Sequence, residues 1–167
     1  MEVEQIDRYV NLTSDHEAQI GYHYDDDTGE EIEYRLTDAG IRHLADLQEL
    51  EYLFIPGFLL SRTSVETLAS LPRLQHLHAP FSVVGPSVLA DIAAMQELRT
   101  LSIGVMRTTT LSLDVLQQLE NLEVLQLFVF GDQFFEDESA KEKLKVDLQQ
   151  MLPNVEMHIV PLRENGF

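Results

Sequence analysis

Apolar residues recur in this chain every 24 residues, in register. Leu50, Leu74, Leu98 and Leu122 form one column, and Leu53, Leu77, Leu101 and Leu125 form a second. Leu47, Leu71, Met95 and Leu119 form a third. Three further columns keep the same step: Leu44, Leu68, Ile92, Leu116; Ile41, Val65, Leu89, Leu113; and Ile55, Ala79, Ile103, Leu127. A period of this length marks a unit that cannot bury its apolar side alone and buries it against the next copy, as in a solenoid. Within a unit, Leu44, Leu47, Leu50 and Leu53 step by three, which is helical, and Leu53 to Ile55 steps by two, which is extended. Each unit therefore reads as a short helix, a turn and a short strand.

Local capping signals carry the same period. The column Thr37, Ser61, Gly85, Thr109 holds residue types favoured at helix N-caps, where a side-chain oxygen accepts a free first-turn amide or a glycine leaves it to water. Pro86 follows Gly85, at the position where a missing amide proton costs least. Thr63 and Glu66 offer an alternative capping box in the second unit.

The phrases Leu50-Glu51-Tyr52-Leu53-Phe54-Ile55 and Leu122-Glu123-Val124-Leu125-Gln126-Leu127 resemble the strand motif of leucine-rich repeat proteins. Leu36-Thr37-Asp38-Ala39-Gly40-Ile41 is similar to the helix opening of a bacterial subgroup, and Leu152-Pro153-Asn154-Val155 to its closing repeat. The resemblance spans residues 37–160. It implies an α/β fold: a right-handed, curved leucine-rich repeat solenoid with parallel strands on the concave side and helices on the convex side. It also implies protein recognition. The family commonly places Asn or Cys three residues after the second strand leucine, and here those positions hold Phe58, Ser82, Met106 and Phe130. An apolar stack, with Phe58 and Phe130 filling the turn, is expected in place of an asparagine ladder.

The 167 residues make one domain with three regions: 1–36, 37–131 and 132–167. Residues 1–36 hold eleven acidic side chains against Arg8 and Arg35, half of the net charge of -18. Ile20, Tyr22 and Tyr24 alternate with polar residues, as do Ile32, Tyr34 and Leu36, around a polar turn containing Gly29. This reads as a β-hairpin capping the first unit. Residues 37–131 are the four repeats. In 132–167 a longer helix is expected from Asp137 to Leu152, with an Asp137–Lys141 pair, ended by Pro153. Val155, Met157 and Ile159 then alternate as a last strand. Matching Val155 to Leu122 gives a step of 33, with its strand register open by one residue.

The absence of cysteine excludes disulfides, thiolate metal sites and cysteine nucleophiles. No apolar run approaches the roughly 18 residues that span a membrane. The acidic N-terminus lacks a basic-then-apolar signal, so a cytoplasmic, untargeted chain is expected. The negative charge disfavours nucleic acid and anionic lipid and favours basic partners. No phosphate-binding glycine loop, Gly-x-Ser-x-Gly elbow or His-Glu-x-x-His is present, and a non-enzymatic chain without cofactor is expected.

Residues between the inward leucines face outward on the strands. They are Tyr52 and Phe54, His76 and His78, Thr100 and Ser102, and Val124 and Gln126, followed by Pro56, Pro80, Gly104 and Phe128. None is charged. An uncharged face with aromatics has the character of a protein interface. Tyr52, Phe54, His76, His78, Val124, Gln126 and Phe128 are thus the candidate partner-binding residues, with Tyr52, Phe54 and Phe128 as anchors. The competing reading is that loops or the hairpin cover them. His76 and His78 point the same way, a spacing that suits a transition metal only with further ligands; the favoured reading is two polar interface residues. The acidic run 25–31 lacks the loop spacing of a calcium site and reads as a solvated turn. Asn11-Leu12-Thr13 matches a glycosylation sequon by coincidence. The expected function is recognition of a protein or peptide. The alternative is an acidic inhibitor or immunity-type protein that neutralises a basic partner through carboxylates of residues 1–36.

Overall fold

The computed structural model describes residues 9–11, 21–24, 31–34, 38–55, 60–106, 113–131 and 138–162. Along the chain run β1 (Tyr9–Asn11), β2 (Gly21–Tyr24), β3 (Glu31–Tyr34) and α1 (Asp38–Arg42), which continues as a 3-10 turn, His43–Asp46. Then come β4 (Tyr52–Phe54), α2 (Arg62–Ala69), β5 (His76–Val83), α3 (Pro86–Ala93) and β6 (Thr100–Met106). A 3-10 segment (Leu113–Gln118), β7 (Val124–Phe130), α4 (Glu138–Met151) and β8 (Glu156–Leu162) follow. The fold is α/β. Strands β4 to β8 form one parallel sheet in chain order, and β1 adds beside β4, also parallel. The sequence carries no local signal for that β1 pairing. Strands β2 and β3 form a separate antiparallel pair, with Tyr24 opposite Glu31. Among the described residues, no helix is long and apolar enough to cross a membrane.

The leucine columns set the register. Leu53 pairs with Leu77, Leu77 with Leu101 and Leu101 with Leu125. These four side chains point into one core with Val65 and Leu68 of α2 and Leu89 and Ile92 of α3. All eight are at most 1% exposed, and burying each stabilises the fold by roughly 1.5–3 kcal/mol. The turns recur with the same spacing: the Leu50 N–H donates to Leu47 O, Leu98 to Met95 O and Leu122 to Leu119 O.

Helix starts follow the capping column where it is described. Ser61 caps α2, its Oγ accepting the Ser64 N–H at 3.1 Å, while Ser64 Oγ accepts the Ser61 N–H at 2.8 Å. The box is therefore Ser61–Ser64, not Thr63–Glu66; Glu66 instead pairs with Arg62 at 3.3 Å. Ser61 Oγ also donates to Asp38 at 2.7 Å, tying α2 to α1. Gly85 caps α3, with Pro86 at its first helical position. Thr37, Thr109, Pro56, Phe58 and the turn 25–30 lie outside the described residues.

The last unit resolves its register in two parts. The Val155 N–H donates to Leu152 O as Leu122 does to Leu119, so Val155 is the turn counterpart of Leu122, 33 residues on. The strands pair Leu125 with Met157, 32 residues on, because one residue rather than two separates Val155 from Met157. Lys141 pairs with Glu138 at 2.5 Å; Asp137, its expected partner, lies outside the described residues.

Candidate interaction face

The sheet face opposite the helices is built from alternate strand residues. Parallel pairing sets Tyr52, His76, Thr100, Val124 and Glu156 in one row, and Phe54, His78, Ser102, Gln126 and His158 in the next. Tyr52, Phe54, His76, His78, Val124, Gln126 and Phe128 are all half-buried. The two rows carry no charge from β4 to β7; Glu156 brings a carboxylate only at β8, where His158 Nε2 lies 3.1 Å from it.

Four rings gather on β4 and β5. Tyr52 stacks on His78 with centroids 4.9 Å apart, and lies 6.0 Å from His76. Phe54 lies 6.4 Å from His78, tilted. His76 Nδ1 reaches Thr100 Oγ1 at 3.0 Å, which fixes its ring toward β6. Burial lowers the pKa of His78 from its ordinary 6.5, and the neighbouring His76 lowers it further. His78 is thus held as a neutral, stacking ring.

Toward β7 the residues are smaller. Ser102 is buried and donates to Gln126 Oε1 at 3.2 Å. His158 lies three strands from His78, about 14 Å at the usual strand spacing. Among the described residues, no three His, Asp or Glu side chains gather as a metal site.

Strand β5 departs from the expected outward column. Pro80 does not sit beside Gly104; Val83 does, and a bulge holds the residues between Ala79 and Val83. Proline lacks the amide that a regular ladder needs at an interior strand, so the chain leaves the ladder there. Pro80 is buried, and Phe81 takes a φ of 65°, the left-handed region that costs a bulky side chain. This conformation lifts Phe81 out of the strand to 37% exposure, with its ring 5.1 Å from Phe128. The bulge packs on Gly104: a Cβ there would stand 2.9 Å from the Phe130 ring and 3.1 Å from Ser82 O. Phe130 is itself 3% exposed, so it fills this end of the face instead of presenting a surface.

The candidates therefore divide. Tyr52, Phe54, His76 and His78 form one ring cluster, Phe128 joins Phe81 in a second, and Val124 and Gln126 lie between Thr100 and Ser102 on one side and β8 on the other. Phe81 escaped the sequence reading, although Pro80 inside a strand pattern is the signal that marks a bulge. A groove of about 420 Å³ borders the face at Gln126. It runs along the β8 edge, lined by Gln126, Met157 to Val160 and the α4 residues Glu138, Lys141, Glu142 and Lys145.

No protein-family model, curated protein or solved structure matches the chain. What the structure defines is an α/β protein with one parallel sheet, helices on one face and an uncharged, ring-bearing second face.

Proposed function

We propose that this chain is a curved leucine-rich repeat solenoid whose strand face recognises a protein or peptide without catalysing a reaction. Its support is the contrast between that face and the chain around it. A chain of net charge -18 sets two rows of uncharged side chains across four adjacent strands, all half-buried but the buried Ser102, with rings gathered on β4 and β5. Rings bury much area for few rotors and carry most of the energy in protein interfaces. The exposed Phe81 adds a second feature, because strained backbone persists mainly where a site uses it. Replacing Tyr52 and Phe54 by Ala tests this reading: bound partner is expected to fall while the thermal melt stays cooperative.

A second reading, charge neutralisation of a basic partner, is favoured by the rim where helices turn into strands. That rim carries Asp46, Glu49, Glu51, Glu97, Glu120, Glu123 and Glu156 against Arg73 and Arg99. Both arginines are paired, Arg73 with Glu49 at 2.5 Å and Arg99 with Glu123 at 2.7 Å. Helix C-termini, with their negative dipole ends, point the same way. Salt separates the two readings: steep weakening of binding with salt belongs to the acidic rim, and shallow dependence to the ring face.

A further inference from the structure

We infer that the open edge of β8 and the adjoining flank of α4 join two copies of this chain in an antiparallel pair. The first observation is the direction of the edge groups. In a parallel sheet the N–H and C=O of one residue point to the same side, and successive residues alternate. The Glu156 N–H donates to Glu123 O at 2.8 Å, and Leu162 O accepts from the Gly131 N–H at 3.2 Å. Residues 156, 158, 160 and 162 therefore face β7, while Met157, Ile159 and Pro161 turn their backbone outward. Among the described residues no strand pairs with that outer edge. About a two-fold axis at His158, Met157 meets Ile159 of the second copy and Ile159 meets its Met157. Both are outward residues, and each such antiparallel pair exchanges two hydrogen bonds, so Pro161, which has no N–H, is not required.

The second observation is charge. The chain has only three lysines, Lys141, Lys143 and Lys145, and all stand on α4. With Glu138, Glu142 and Asp147 they make this helix neutral in a chain of -18. Glu138, Lys141, Glu142 and Lys145 line the groove opposite Met157 to Val160. When two such helices run antiparallel about the middle of this set, Glu138 meets Lys145 of the second copy and Lys141 meets its Glu142. Every contact pairs opposite charges. The helix set and the strand edge line one groove, so a single pairing engages both. An isologous interface needs this self-complementarity. The occupant of the groove is a second copy.

Sedimentation equilibrium of the full chain tests this. The wild type is expected to give twice 19.1 kDa at micromolar to submillimolar concentration. Lys141→Glu with Lys145→Glu should give monomer, and so should Glu138→Lys with Glu142→Lys. An equimolar mixture of the two variants should recover dimer, since each supplies the charges the other lacks. Circular dichroism verifies that each variant is folded. Lys141 is only 20% exposed, so if the lysine variant fails to fold, the Glu138/Glu142 variant carries the test alone, Glu138 being 85% exposed. A monomeric wild type overturns the inference. So do a charge-reversed variant that dimerises as the wild type does and a mixture of folded variants that stays monomeric.

Discussion

Tyr52 and His78 stack across β4 and β5 with ring centroids 4.9 Å apart and planes 28° apart. Burial and the neighbouring His76 both disfavour the protonated form of His78. The unfolded chain therefore takes up a proton at this residue at higher pH than the folded chain does. Stability tied to His78 is complete above its ordinary 6.5 and is lost as pH falls toward the lowered folded value. His78→Gln should flatten that part of the profile. Thermal melts of both proteins from neutral to mildly acid pH check this; identical slopes would show that His78 does not contribute.

Gly104 should not tolerate a side chain. A Cβ would press on the Phe130 ring at 2.9 Å and on Ser82 O at 3.1 Å, and the second is backbone that cannot rotate away. Gly104→Ala is expected to cost about 1–3 kcal/mol, as overpacked cores do, measured by urea unfolding. A loss well below that range would mean that the bulge shifts freely.

The parallel register is legible in the leucines, because an inward residue every 24 positions leaves one pairing that keeps all of them buried. Ser61 and Gly85 are legible as caps because their chemistry is local. The outward rows follow from alternation once the register is known, which is why Tyr52, His78 and Gln126 fall on one face. The β5 bulge breaks that alternation, so Pro80 is misplaced and Phe81 missed. Nothing local in Tyr9–Asn11 announces its place beside β4, since an edge pairing depends on the sheet it joins. The shortened approach to β8 turns on a single residue between Val155 and Met157, which column counting alone leaves open.

The cap of α2 should contribute measurably. Ser61→Ala removes the acceptor for the Ser64 N–H and the donor to Asp38. The expected loss is about 0.5–2 kcal/mol by chemical denaturation. Ser61→Asp should be worse than Asn at this position, because it brings a second carboxylate to Asp38; equal stability of the two would contradict the Ser61–Asp38 contact.

Phe81 separates stability from binding. Phe81→Gly relieves a left-handed backbone worth about 1–2 kcal/mol and forfeits a ring pair worth about 0.5–1.5 kcal/mol. Its stability should therefore stay within about 1 kcal/mol of wild type, while partner binding weakens about tenfold or more. Marked destabilisation with intact binding would make Phe81 a packing residue instead.

The ring-bearing strand face is expected to bind a protein. Affinity capture from native lysate with the wild type beside a Tyr52→Ser, Phe54→Ser, Phe128→Ser variant, read by mass spectrometry, tests it most directly. The expected result is a protein enriched by the wild type and lost with the variant, both proteins being folded. A partner held equally by both would contradict the claim and move recognition to the acidic rim or the helix side.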